Sequence, residues 1–194
     1  MLKELVEKNR SYRGYDPSVC LTREDLLELV DLTRYTASSV NEQPLRYYIA
    51  WEKEEVEKIL PLTMWAKALK EMKLPRPGKE PAAFIIICQD MNISSNTTRF
   101  QRDVGIVAQT MLLGAVEKGL GGCMIGSFYK PQLKELLNLP EGVEPNLIVA
   151  LGKPAEKVVL TDVGKDGSTK YYRDAEDTHY VPKRSLQDLI MEAK

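Results

Sequence analysis

Residues 9–13, with the sequence NRSYR, place two arginines and a serine in one short stretch near the start of the chain. Arginine forms forked hydrogen bonds with phosphate and carboxylate groups, and a serine hydroxyl adds another donor. This cationic segment, residues 9–13, could therefore hold a small anion, contact a nucleic acid, or lie in solvent at the end of a helix.

The overall charge of the chain argues against one of these three alternatives, the nucleic-acid contact. The 194 residues include 27 Lys and Arg and 28 Asp and Glu, so the formal net charge is −1. Without a positive field over the whole surface, a nucleic acid is not attracted, and an anion must be held by a local site. We expect no nucleic-acid partner.

Three more polar stretches call for an explanation. They are residues 38–43 (SSVNEQ), residues 124–127 (MIGS) and the pair Lys183-Arg184. Asn and Gln side chains carry both donors and acceptors, which suits the edge of a heterocyclic ring, and backbone amides at 124–126 could reach the same ring. Taken singly, each stretch is typical of a solvated surface. Taken together, they are consistent with a bound phosphorylated heterocycle.

The chain offers no obvious acid–base or nucleophilic machinery. It has one histidine, His179, and three widely spaced cysteines, Cys20, Cys88 and Cys123, so neither a zinc site nor a catalytic triad can be assembled. The glycine cluster at 119–122 follows a helix and precedes a strand, the reverse of a dinucleotide-binding turn, and favours close backbone packing. We expect no metal, identify no catalytic residue, and infer a binding protein or an enzyme that uses an organic cofactor.

Hydrophobic patterns predict about four strands among six or so helices in one domain of the α+β or α/β class. Residues 82–90 form a continuous apolar run typical of a strand covered on both faces. Residues 103–118 form a helix that is apolar almost all round and therefore lies in a core or at a subunit interface. The first ten residues carry no leader-like apolar region, so we expect a cytoplasmic protein with no membrane partner.

Five motifs along the chain resemble those of the flavin-dependent nitroreductase family, in the order in which the family has them. They are NRSYRGYDP, TASSVNEQPLRYYIA, DVGIVAQTMLLGAVEKGLGGCMIGSF, LPEGVEPNLIVALGKP and VPKRSL. One such motif would carry little weight, whereas five in order make the resemblance specific.

This resemblance implies an α+β, nitroreductase-like fold, with a central, mostly antiparallel sheet flanked by helices. It implies a single nitroreductase-like domain over residues 1–194 and an intertwined homodimer. The helix at 103–118 would form the dimer core, and residues 62–81 would be the variable region that covers the flavin.

The resemblance also implies FMN, bound without a covalent link, and a set of residues that bind it. Arg10, Ser11 and Arg13, with Tyr12 in the same segment, would hold the phosphate together with Lys183 and Arg184. The flavin would be approached from the partner subunit by Ser38, Ser39, Asn41 and Gln43. Its ring would be lined by Met124, Ile125 and Gly126.

The activity implied by the resemblance is electron transfer from NADH or NADPH, through the flavin, to a small acceptor in a ping-pong cycle. The acceptor would be a nitroaromatic, a quinone or an enone. Two alternatives stay open at this point. One is another reaction on the same architecture, such as reductive dehalogenation or flavin fragmentation, and the other is a non-catalytic protein that binds FMN to sense or store it.

Overall fold

The computed structural model describes residues 1–66 and 72–191. The chain divides into two compact units, Met1–Pro154 and Ala155–Lys194. The single domain over residues 1–194 stays a prediction. Part of the expected variable region at 62–81 lies outside the described residues, namely 67–71. Across the described residues, no helix combines the length and the apolar character needed to cross a bilayer.

The first unit is an antiparallel sheet with helices packed against it. Its helices are α1 (Leu2–Lys8), α2 (Arg23–Leu32), α3 (Lys53–Ile59), α4 (Thr97–Glu117) and α5 (Lys130–Leu136). Its strands are β1 (Leu45–Ala50), β2 (Ala83–Asp90), β3 (Gly121–Ile125) and β4 (Val143–Gly152). The strand order is β1-β2-β4-β3, and each neighbouring pair is antiparallel. This arrangement confirms the predicted α+β class and the mostly antiparallel sheet.

Strand β2 is buried on both faces, as its continuous apolar sequence predicts. Ile85 and Ile87 pack in one cluster with side chains of α2 and α4. Phe84 and Ile86 point the other way and pack with side chains of α3 and α5. Full burial of side chains of this size stabilises the fold by roughly 1.5–3 kcal/mol each, so β2 holds the two helical layers together.

Helix α4 begins earlier than its apolar pattern predicts, at Thr97 instead of 103, because its first turns are polar. The Asn96 side chain accepts a hydrogen bond from the Arg99 N–H at 3.0 Å and starts the helix there. One stripe of the helix, which includes Gly105 and Ile106, is exposed in the single chain, and 40% of Ile106 is accessible. The helix is therefore not buried all round, and its role as a dimer core stays a prediction.

The second unit contains β5 (Val158–Asp162), β6 (Tyr172–Arg173), β7 (His179–Lys183) and the short helix α6 (Leu186–Leu189). Its sheet has the order β5-β7-β6, with β5 parallel to β7. The described residues thus hold seven strands instead of about four. The extra strands are short and half-buried, so they show no continuous apolar pattern. One of them also contains a buried charge, Arg173, which pairs with Glu156.

Gly121 and Gly122 allow strand β3 to lie against neighbouring chain, which confirms the packing role expected for this glycine cluster. A Cβ atom on Gly122 would lie 2.2 Å from the Ala150 carbonyl oxygen, and one on Gly121 would lie 2.6 Å from the ring of Tyr12. The first contact is with backbone of the paired strand β4 and cannot be relieved by a side-chain rotation.

We expect Gly122→Ala to lower the free energy of unfolding by about 1–3 kcal/mol, because the added methyl group overpacks the sheet. Gly105→Ala is the matched control, since a Cβ there meets nothing within 4 Å. Because alanine favours a helix more than glycine does, that change should raise the free energy of unfolding by up to about 1 kcal/mol. Denaturant titration of both variants checks the prediction, and equal effects would contradict it.

Candidate active site

The cationic segment lies along the outer edge of the four-stranded sheet. Ser11 forms a parallel bridge with Gly122, and the Tyr12 N–H donates to the Gly122 carbonyl at 3.0 Å. Strand β3 is the edge strand of its sheet, so this pairing adds residues 11–12 beside it. The structure therefore brings two of the predicted stretches together, the cationic segment and the strand that leads to 124–126.

Part of the cationic segment serves as the end of helix α1. Arg10 Nη2 donates to the Val6 carbonyl at 2.6 Å, and the Tyr12 hydroxyl donates to the Lys8 carbonyl at 2.9 Å. These are carbonyls of the last turn, which lack partners within the helix. The helix-end explanation considered from sequence therefore accounts for some of the polar character here.

Arg10 nevertheless keeps the capacity to bind an anion. Its Nε atom is buried and makes no hydrogen bond with the part of the chain that the structure describes. Burial lowers the pKa of Arg10 from its ordinary value, while Tyr12 and Glu7 act in the opposite direction. A buried N–H with no acceptor is costly, and an anionic ligand at this position would remove that cost. The segment thus fits a phosphate.

The end of strand β3 is a mixture of exposed and buried groups. Met124 is 36% exposed in a strand that is otherwise buried, whereas the Ile125 side chain lies in the apolar core. Gly126 is open, since a Cβ there would meet only Leu147 at 3.9 Å. Ile125 can therefore offer a ligand its backbone only, while Met124 and Gly126 leave an accessible surface.

The 38–43 loop is held in a strained conformation. It contains a 3₁₀ turn over Ser39–Asn41. Val40, Asn41 and Gln43 have φ angles of 49°, 56° and 52°, the left-handed region that residues other than glycine rarely adopt. Each such residue costs of order 1–3 kcal/mol unless its surroundings fix it, and such residues cluster at functional sites.

A buried carboxylate of helix α4 fixes this loop. The Ser38 hydroxyl donates to Asp103 Oδ2 at 2.6 Å, and the Ser39 N–H donates to the same oxygen at 3.0 Å. Asp103 is 3% exposed. The sequence does not single out Asp103, which begins the apolar stretch of helix α4. The available signal is an acidic residue that begins an apolar run, because a buried charge requires partners.

A small cavity borders the 38–43 loop, with a volume of about 160 Å³. Its lining includes Thr33, Ser38, Gln43, Tyr47, Asp103 and Val107. Burial raises the pKa of the Tyr47 hydroxyl above its ordinary value. Cofactor sites usually occupy roughly 300–1,000 Å³, so this cavity, lined by described residues, is smaller than a typical cofactor site.

The predicted site residues fall into separate groups. The 38–43 loop is bonded to helix α4 through Asp103, whereas the cationic segment is bonded to strand β3 and to the end of helix α1. Lys183 and Arg184 are exposed residues of the second unit. Their place beside a phosphate held by Arg10 stays a prediction.

Comparison with known proteins assigns the chain to a family. The model of the nitroreductase family matches residues 6–153, most of the chain and almost the whole first unit. The chain belongs to the nitroreductase family.

Individual relatives agree with this assignment. YdgI of Bacillus subtilis (strain 168), named as an NAD(P)H nitroreductase, is 24% identical over 185 residues, with 79% of this chain and 88% of YdgI covered. The NADPH:FMN oxidoreductase of Vibrio harveyi, solved with NAD⁺, is 25% identical with a TM-score of 0.63, covering 79% of this chain and 69% of that one. A nitroreductase family protein of Streptococcus pneumoniae TIGR4 is 15% identical with a TM-score of 0.69, and the match covers 100% of both chains. This match shows a shared fold.

The strained loop yields a prediction about stability. Val40 is exposed and β-branched, and its φ is 49°, so its conformation is unfavourable without compensating contacts. We expect Val40→Asn to raise the free energy of unfolding by about 1 kcal/mol, because asparagine tolerates the left-handed region.

The control for this prediction is Val40→Thr, which adds a polar group but keeps the β-branch. Its free energy of unfolding should stay close to that of the parent protein. Denaturant unfolding of the two variants separates backbone strain from the effect of an exposed apolar side chain. A gain of equal size in both would show that strain is not the cause.

Proposed function

We propose that this protein is an FMN-dependent oxidoreductase that passes electrons from NADH or NADPH to a small acceptor. Family membership supports an oxidoreductase, and neighbouring structures named as FMN-dependent support the cofactor. The observation that carries the proposal is the pairing of the cationic segment with strand β3 at Gly122, because it places Arg10, Ser11 and Arg13 along the edge of the strand that leads to residues 124–126.

The phosphate of FMN is held by Arg10, Ser11 and Arg13 in this proposal, with Tyr12 alongside. Arginine forks and a hydroxyl give charge-assisted hydrogen bonds, which are about twice as strong as neutral ones. The buried Nε of Arg10 supplies a donor for this purpose. The assignment of Lys183 and Arg184 to the same phosphate stays a prediction from the sequence.

The ring of FMN lies against Met124, Ile125 and Gly126. Gly126 presents backbone without a side chain, and the exposed part of Met124 offers a soft apolar contact. The 38–43 loop completes the site from a second copy of the chain, through residues that include Ser38, Ser39, Asn41 and Gln43.

A homodimer follows from this division of the site. The loop borders a cavity of about 160 Å³ and is held by Asp103 of helix α4, whereas the cationic segment is held by strand β3. The exposed stripe of α4, with Gly105 and Ile106, offers a surface for a second copy. In the second unit, the end of the described chain also exposes Leu186, Leu189 and Ile190.

When bound, FMN supplies the redox chemistry, and electrons pass from NAD(P)H to a nitroaromatic, quinone or enone in two half-reactions of a ping-pong cycle. The protein's residues bind the phosphate, orient the ring and offer donors where negative charge accumulates on reduction. No side chain of the chain is assigned as an acid or base. A cytoplasmic location stays a prediction.

The visible spectrum of the purified protein tests the cofactor. We expect the absorption bands of oxidised flavin, and their loss on addition of NADH or NADPH. Turnover is then measured with a nitroaromatic, a quinone and an enone. A colourless protein that FMN cannot reconstitute would overturn the proposal. A yellow protein that neither nicotinamide reduces would favour the FMN-binding sensor or store.

We expect Arg13→Ala to weaken FMN binding by about 1–3 kcal/mol, the value of a charge-assisted hydrogen bond lost at a partly buried site. Arg23→Ala is the matched control, because Arg23 is an exposed arginine of helix α2 and its removal changes the net charge equally. Titration of the apoprotein with FMN measures both. Equal FMN affinities of the two variants would contradict the assignment of Arg13 to the phosphate site.

A further inference from the structure

We infer that Asp103 is a positioning residue for the cofactor site, and that Ser38 acts through Asp103 instead of through a donated hydrogen bond to the cofactor. The carboxylate holds the 38–43 loop in the shape that receives FMN. This inference rests on the proposed function, because it concerns the loop that the proposal assigns to the flavin.

The first step of the argument is that the Ser38 hydroxyl is already committed. It carries one proton, which it donates to Asp103 Oδ2 at 2.6 Å. Its oxygen also accepts the Gln43 backbone N–H at 3.1 Å. A serine hydroxyl has a single donor. Ser38 therefore ties the two ends of the loop to each other and to helix α4, and it has no proton left for a ligand.

The second step concerns the groups that the loop leaves available. The Ser39 hydroxyl makes no hydrogen bond that the structure gives within residues 1–66 and 72–191, whereas the Ser39 backbone N–H binds Asp103. The Asn41 side-chain oxygen accepts from Gln43 Nε2 at 3.0 Å, and Asn41 is exposed. The Ser39 hydroxyl and the Asn41 amide N–H₂ are thus side-chain donors that the loop leaves available to a ligand.

The third step is that the loop needs an anchor. Three of its residues have positive φ angles, and their short-range contacts with one another are exposed. Helix α4 holds the loop at two places one turn apart. Arg99 pairs with Glu42 at 3.6 Å on the surface, and Asp103 binds Ser38 and Ser39 in the interior. Exposed ion pairs contribute little, so the buried carboxylate is the principal anchor.

The test compares FMN affinities in a double-mutant cycle on the full-length apoprotein. Asp103→Ala and Ser38→Ala should each weaken FMN binding about tenfold, and the double variant should be no weaker than the weaker single variant. Ser39→Ala should also weaken binding, and its effect should be smaller in the Asp103→Ala background, because Asp103 holds the Ser39 N–H and thereby positions the Ser39 hydroxyl. Arg23→Ala, an exposed change on helix α2, is the control and should leave the affinity unchanged.

Asp103→Asn keeps the role of Asp103 testable if the alanine variant does not fold. It preserves the shape of the side chain and one acceptor oxygen while it removes the charge, so we expect FMN binding to weaken by about threefold. Visible circular dichroism of FMN bound at saturation reports the surroundings of the flavin, which a change in protein stability alone does not alter. The spectrum should change in the Asp103 and Ser38 variants and stay unchanged in Arg23→Ala.

Amide hydrogen exchange tests the anchor without a cofactor. The Ser39 and Gln43 N–H groups should exchange faster in Asp103→Asn than in the parent protein. A parent protein that binds no FMN would overturn the proposed function alone, since faster exchange would still establish the anchor. Unchanged exchange rates would overturn the inference, as would unchanged FMN affinity in Asp103→Asn and Asp103→Ala, or effects of Asp103 and Ser38 that multiply.

Discussion

Burial of strand β2 on both of its faces is the constraint on which the first unit depends. Its alternate side chains fill two separate apolar clusters, so neither helical layer has a core without it. Strand β4 pairs with β2 and in turn carries β3 at the edge. The cationic segment lies beside that edge. The position of the proposed phosphate site therefore depends on a hydrophobic strand that contributes no group to it.

The site combines groups held in two different ways. Residues 11–12 are placed by backbone pairing with β3, which tolerates side-chain change as long as Gly122 stays small. The 38–43 loop is placed by side chains, through a carboxylate of helix α4, against the preference of its own backbone. Backbone pairing and side-chain anchoring respond to different substitutions, which makes their contributions separable.

The features predicted from sequence are those with a strong periodic or chemical signal. The buried strand β2 and the packing glycines at 121–122 both follow from local pattern. Strand β6 has two residues, too few for a period to show. The start of α4 was obscured by polar residues. Asp103 could not be assigned because its partners, Ser38 and Ser39, lie more than 60 positions away along the chain.

The pairing of residues 11–12 with strand β3 also protects the sheet against aggregation through its edge. An edge strand exposes a row of backbone N–H and C=O groups that can pair with another chain and start aggregation. Here the protein's own N-terminal region occupies part of that row. The segment that we assign to phosphate binding is thus also a cover for the sheet, and loss of the first dozen residues would leave an edge open to association as well as a site without Arg10 and Ser11.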